Sequence, residues 1–317
     1  MNKVYITDYI EDPFIEKKIL GKELGSKICE DIEILIVWHQ KIDGEYLSKF
    51  PKIKGVIRYG VGYDNIDLEE IKKRGLIFCN TPDYGTDEVS DTALTMMLSF
   101  LRGVFAYDIF SKEYFNTWQE NVIPKLRRLS MLTLGVVGAG RIGTALMRKA
   151  KALNMNILFY DPYKDSGYEK AIGVNRCFEL KSFLSECDVV SMHTPLTNET
   201  KFMIDENFIS NMKQDSILIN SSRGEVIKNL DVIYRALKSK KLYAVGLDVL
   251  PDEPPQDCDL IRAWRSNDKE LAHRIIINPH TSYFTQESFI EMREKAAQNA
   301  SRILNGIKPL NIIIDGS

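Results

Sequence analysis

The segment Leu134-Gly135-Val136-Val137-Gly138-Ala139-Gly140-Arg141-Ile142-Gly143 constrains this chain more than any other. It carries the spacing G-x-G-x-x-G, follows an apolar run that reads as a strand, and opens a stretch with helical spacing. Each glycine then has a physical task. Gly138 permits a tight turn, Gly140 lets a pyrophosphate approach the backbone, and Gly143 lets helix and strand pack closely. The helix N-terminus presents unpaired N–H groups and the positive end of its dipole to the phosphates. Asp161 ends the next predicted strand, 18 residues after Gly143. A carboxylate there would accept from ribose hydroxyls and repel a 2′-phosphate, which selects NAD over NADP. A glycine-rich turn without a ligand is the competing reading, and the strand–loop–helix–acid context argues against it.

The rest of the chain supplies a setting for such a loop. At roughly 150 residues per domain, 317 residues suggest two domains. Short apolar runs alternate with helical patterns, which predicts an α/β fold with parallel sheets. The candidate strands are Val4–Thr7, Ile32–Val37, Gly55–Ile57, Leu76–Cys79, Thr133–Val137, Asn156–Tyr160, Val189–Met192, Ser216–Asn220, Ala244–Val249 and Ile275–Ile277. Most are apolar throughout, as strands covered on both faces should be. Leu94, Met97, Leu98, Leu101 and Phe105 recur at helical spacing and predict one long helix over Thr86–Phe115. A second runs over Gln286–Leu304, with Gly306 and Pro309 as stop signals.

Several function classes drop out. Lys+Arg 42 against Asp+Glu 44 leaves a net charge of −2, so no electrostatic footprint for nucleic acid or a membrane surface is expected. The first residues read as a strand and lack the apolar core of a signal peptide. The apolar stretch Ala93–Phe110 is interrupted by Arg102, Gly103 and Asp108, which fits a buried helix and a cytoplasmic protein. The five cysteines are scattered, with no C-x-x-C pair, so neither a disulfide framework nor a metal site is expected.

Ligands of doubly wound sheets sit at the carboxyl ends of the strands. Three predicted strand ends carry polar groups there: His193-Thr194-Pro195, Asn220-Ser221-Ser222-Arg223-Gly224, and Asp248. A nicotinamide enzyme acting on a hydroxy or keto acid needs a cation for the carboxylate, an acid/base for the oxygen's proton, and a group that tunes that base. Arg223 offers a planar fork for a carboxylate. His280 follows a strand, and Glu253 could hydrogen-bond it. By spacing alone His193 has nearly equal standing with His280, while His39 and His273 read as structural or surface histidines.

These motifs, in this order, resemble the D-isomer-specific 2-hydroxyacid dehydrogenases over nearly the whole chain. The resemblance rests on Arg58-Tyr59-Gly60-Val61-Gly62-Tyr63-Asp64-Asn65-Ile66-Asp67, Asn80-Thr81-Pro82, Gly85 to Asp91, and the glycine loop with Tyr160-Asp161-Pro162. It continues through His193-Thr194-Pro195-Leu196-Thr197, Asn220 to Gly224, Gly246-Leu247-Asp248-Val249, Glu253-Pro254 and Pro279-His280-Thr281. The stretch Glu253-Pro254-Pro255, Leu260 to Arg265 and Pro279 to Phe284 looks most like the branch related to C-terminal-binding proteins. That branch mixes dehydrogenases with NAD(H)-sensing dimeric scaffolds, so a scaffold with little catalysis is the rival expectation.

The resemblance implies two doubly wound parallel-sheet domains, a Rossmann cofactor domain (103–283) inserted into a flavodoxin-like substrate domain (1–102 plus 284–317). It implies Arg223, Glu253 and His280 as catalytic residues, and places His193 in the cofactor-side loop. The implied cofactor contacts are Gly138, Gly140, Arg141, Ile142, Gly143, Asp161, Thr194, Pro195, Ser221, Ser222 and Asp248. Gly60, Val61 and Gly62 match the backbone segment that binds the substrate carboxylate in relatives. The implied cofactor is NAD, the implied substrate a small 2-oxo or 2-hydroxy acid, and the implied assembly a homodimer formed around the long helix and Tyr114–Trp118.

Overall fold

The protein is described from a computed structural model covering residues 2–112, 118–119, 122–266, 268, 270–271 and 273–316. The chain divides into two compact units, Met1–Gly85 with Phe284–Ser317 and Thr86–Tyr283.

In the first unit, strands β1 (Val4–Ile6), β2 (Leu24–Gly25), β3 (Ile34–Val37), β4 (Gly55–Arg58), β5 (Ile77–Cys79) and β13 (Ile312–Asp315) form one sheet. Their order is β13-β5-β4-β3-β1-β2, parallel except for the antiparallel β13–β5 edge. All four residues of β3 are buried, as an apolar run covered on both faces requires. Leu35, Val37, Val56 and Phe78 pack there with Leu47, Phe50 and Ile71.

The second unit holds β6 (Thr133–Val137), β7 (Asn156–Tyr160), β8 (Asn175–Arg176), β9 (Val189–Met192), β10 (Ser216–Asn220), β11 (Leu242–Leu247) and β12 (Ile275–Ile277). These lie in the order β12-β11-β10-β9-β6-β7-β8, all parallel. The chain leaves β6 toward β7 on one side and returns to β9 on the other. The β6–β9 pair is therefore the switch point where such sheets open a ligand crevice. One face is covered by Leu146, Met147, Ala150 and Phe159 with Met96, Met97 and Phe100, the other by Phe183, Leu184, Ile233, Leu237 and Leu260.

Two expectations need correction. The long helix is two helices, Thr86–Leu101 and Val104–Lys112, bent by 54°. Gly103 sits between them at φ +65°, the left-handed conformation that ends helices and that glycine adopts at little cost. Residues 113–115 of the expected helix lie outside the described residues. The domain boundary expected after Arg102 falls instead at Gly85/Thr86, because Ala93, Met96, Met97 and Phe100 pack into the core of the second unit. Among the described residues no single helix is long and apolar enough to cross a membrane.

Candidate active site

The glycine loop joins β6 to the helix Arg141–Ala152. Gly138 takes φ +92°, and a Cβ there would lie 2.6 Å from the His193 carbonyl oxygen. A Cβ on Gly143 would lie 2.1 Å from the Gly138 carbonyl oxygen, a backbone clash that no side-chain shift relieves. Gly140 is different: a Cβ there would meet nothing within 4 Å. Two of the glycines thus shape the loop, while the third keeps its outer surface open. Gly140 caps the helix, so the N–H groups of Arg141, Ile142 and Gly143 have no partner within it.

Asp161, one residue past β7, organises this loop. One carboxylate oxygen accepts from the Ala139 N–H at 2.8 Å and the other from the Tyr163 N–H at 3.0 Å. Arg176 donates to the Asp161 carbonyl oxygen at 2.7 Å.

Beside the loop, the carboxyl ends of β9, β10 and β12 lead into buried polar atoms with no hydrogen-bond partner among the described residues. These are His193 Nδ1, Thr194 Oγ1, Ser221 Oγ and Ser282 Oγ. Buried polar atoms are rarely left unsatisfied without a reason. An open glycine surface, a helix N-terminus, a strand-end carboxylate as acceptor and unpaired hydroxyls are the groups a dinucleotide requires, so these residues fit NAD. Ser282 was not among the sequence candidates; its hydroxyl is ordinary until the fold turns it inward. His193 bonds Ser191 Oγ through Nε2 at 2.8 Å, and burial pushes its pKa down to about 4, although part of the residue still meets solvent. A ring held neutral at physiological pH is poorly matched to an acid/base that must carry an imidazolium proton.

The catalytic candidates lie in the loops that follow β10, β11 and β12. Arg223 follows β10 in extended conformation and donates from Nη1 to the Ser222 carbonyl at 2.7 Å. Glu253 Oε1 accepts from the Leu250 N–H at 2.9 Å, and Oε2 faces His280 Nδ1 at 2.8 Å. Burial works to raise the Glu253 pKa. The hydrogen bond and charge of His280, the Leu250 N–H and the charge of Arg223 outweigh it, and the carboxyl lies below its ordinary range. With the carboxylate as acceptor, Nδ1 carries the proton and Nε2 is the nitrogen left for chemistry.

His280 sits at φ +55°, a strained conformation for a residue with a side chain, of order 1–3 kcal/mol. Asp248 holds it there. The Asp248 carbonyl accepts from the His280 N–H at 2.9 Å, and Oδ1 accepts from the N–H groups of Thr281 and Ser282, both at 3.1 Å. Burial raises the Asp248 pKa above its ordinary range. Its carboxylate is thus turned into the histidine loop, a role beyond the cofactor contact expected of it.

Gly60, Val61 and Gly62 lie in the first unit, just past β4. The carbonyls of Gly60 and Val61 are occupied, by the Thr81 N–H at 3.3 Å and Asn80 Nδ2 at 2.7 Å. Among the described residues no hydrogen bond uses the N–H groups of Gly60, Val61 or Gly62. The Arg58 guanidinium lies over Gly60, 3.0 Å from where a Cβ would stand. Such a loop, with its carbonyls occupied, its N–H groups available and a guanidinium above it, suits a small anion. Of the remaining histidines, His39 lies 3.6 Å from Asp8 and His273 packs edge-on against Phe110.

Comparison with known proteins gives the same direction. Residues 94–282 match the sequence model described as "D-isomer specific 2-hydroxyacid dehydrogenase, NAD binding domain". A glyoxylate reductase of Korarchaeum cryptofilum is 35% identical over 301 residues, covering 94% of this chain and 86% of that protein. One from Thermococcus litoralis is 34% identical over 296 residues, covering 92% and 86%. Among solved structures, a D-lactate dehydrogenase of Aquifex aeolicus, complexed with NAD and lactic acid, aligns with a TM-score of 0.80. It is 31% identical and covers 96% of this chain and 95% of its own. A match across more than half the chain, with relatives above 30% identity along nine-tenths of it, places this chain in the family of NAD-dependent D-isomer-specific 2-hydroxyacid dehydrogenases.

Proposed function

We propose that the chain interconverts a 2-oxo acid and a D-2-hydroxy acid, with Arg223 as the carboxylate anchor and His280 as the acid/base. The observation that carries this reading is the 2.8 Å Glu253–His280 pair beside the charge of Arg223, at the end of the sheet where the glycine loop opens. Gly138, Gly140, Arg141, Ile142, Gly143, Asp161, Thr194, Pro195, Ser221, Ser222 and Asp248 would hold NAD, and bound NADH supplies a hydride to C2 of the oxo acid. The Arg223 fork fits the substrate carboxylate, and the N–H groups of Gly60–Gly62 suit a small anion within their own unit. Protonated His280 donates from Nε2 to the carbonyl oxygen, while Glu253 fixes the ring through Nδ1. Arg223 and His280 both oppose the negative charge that develops on that oxygen. The reverse reaction returns the proton to His280.

The test is NADH consumption with a panel of 2-oxo acids that includes glyoxylate and pyruvate, with chiral analysis of the product. Turnover to the D isomer is expected. Tight NADH binding with silence across the panel would reject the enzyme and favour a scaffold. For the assembly we propose a homodimer. Val104, Phe105, Phe110, Trp118, Val122 and Met131 expose apolar surface along one stretch of chain, more than isolated surface residues account for. Of the expected Tyr114–Trp118 segment only Trp118 is among the described residues. Light scattering that reports a monomer would overturn the assembly.

A further inference from the structure

Asn220, the last residue of β10, has a fully buried side chain and uses both ends of it. Its Oδ1 accepts from the Ser222 N–H at 3.1 Å and the Ser222 hydroxyl at 2.8 Å. Its Nδ2 donates to the Arg223 carbonyl at 2.9 Å. Its own carbonyl accepts from the Asp248 N–H at 2.9 Å. One amide therefore closes the turn that carries the arginine and joins it to the aspartate under the histidine loop.

The turn is also pressed from outside. A Cβ on Gly224 would lie 1.8 Å from the Leu250 carbonyl oxygen and 2.6 Å from the Pro251 nitrogen, so arginine turn and glutamate loop are in backbone contact. Leu250 in turn donates its N–H to Glu253. A displacement of the turn has no slack to absorb it. Few side chains could replace this amide: aspartate lacks the donor for Arg223, glutamine is a methylene too long, and serine offers no second arm.

We infer that Asn220 is a positioning residue that sets the guanidinium of Arg223 for the substrate carboxylate. This rests on the reading of Arg223 as the carboxylate anchor. A merely structural role would be to satisfy buried backbone at a strand end, and it predicts a different result.

The experiment is a double-mutant cycle in kcat/KM with NADH and pyruvate or glyoxylate, using Arg223→Ala, Asn220→Ala and the double variant. NADH titration and thermal melting identify the folded variants. Asn220→Ala is expected to lower kcat/KM about 10²-fold, the typical cost of a misplacement near 1 Å. The double variant should lie within about threefold of Arg223→Ala alone, because the amide acts through the arginine. Asn220→Asp keeps the shape and the acceptor for Ser222 and replaces the donor to Arg223 by an oxygen that repels the carbonyl. It should lose activity in the same direction, and it carries the test if the alanine variant does not fold. Losses that multiply in the double variant, an Asn220→Ala variant within threefold of wild type, or loss of the fold in both Asn220 variants would each overturn the inference. An Arg223→Ala variant as active as wild type would instead overturn the assignment of the anchor.

Discussion

The molecule holds two pairs of a carboxylate and a basic side chain, built to opposite ends. In the first unit, Glu16 is completely buried. It accepts from Arg293 Nη2 at 2.6 Å, Arg293 Nε at 2.9 Å and the Tyr59 hydroxyl at 2.7 Å. Arg293 spends a further donor on the Asp12 carbonyl at 2.7 Å and lies over the Phe289 ring. In the second unit, the Glu253 and His280 side chains keep 38% and 46% of their surface, and Nε2 of the imidazole has no partner among the described residues. Both set a carboxylate beside a basic side chain. What separates them is closure. A pair buried among several hydrogen bonds fixes a fold, whereas a pair that leaves one nitrogen toward solvent can move a proton.

Removing the open member should break chemistry and spare the fold. His280→Ala is expected to lower turnover of a 2-oxo acid by roughly 10²–10⁴-fold. Its melting curve should stay close to wild type, because a half-exposed ring contributes little burial. Unchanged turnover would remove His280 from the acid/base role.

Removing the closed member should do the reverse. Arg293→Met leaves a carboxylate stranded in the core, and breaking a buried pair this way costs about 3–5 kcal/mol. Urea unfolding measures the loss. The comparison sharpens in the double variant Glu16→Leu with Arg293→Met. Replacing both charges by apolar groups of similar size should recover most of the stability, since the stranded charge causes most of the penalty. A double variant less stable than Arg293→Met would show that the pair itself is strongly favourable.

The same contrast explains what was legible in the sequence. The glycine loop is local: ten consecutive residues state the turn, the open surface and the helix start. The apolar runs are local too, and the strands buried on both faces lie where those runs lie. The short edge strands β2, β8 and β13 escape notice. Two are only two residues long, and β13 alternates between partly buried and exposed residues. Gly103 was visible, yet the apolar spacing on both sides of it hid the helix break. Glu16 and Arg293 are 277 residues apart, and nothing local announces their meeting. Spacing likewise left His193 and His280 level. What separates them is environment: a ring enclosed against Ser191, and a ring paired with a carboxylate 27 residues away. Asn220 stood in a quoted motif, but its task lies in where its amide points.

The smallest expected effect follows from the open pair's titration. Glu253 has a folded-state pKa below the ordinary value, which is about 4.3 for a free glutamate. A depressed carboxylate stabilises the fold above its unfolded pKa, and the contribution is lost as pH falls through the folded value. Glu253→Gln keeps the shape and cannot titrate. The melting-temperature gap between wild type and this variant should therefore widen from about pH 3 to pH 5 in favour of wild type. Both side chains are substantially exposed, so the gap is small, and it should narrow in 1 M salt, where the Debye length falls to about 3 Å. The Glu16–Arg293 pair, sealed from the solvent, should show no comparable salt response. A gap that stays flat across that pH range, or that ignores salt, would mean the Glu253–His280 pair is held by packing and not by charge. Its closure would then resemble that of the buried pair more than its exposure suggests.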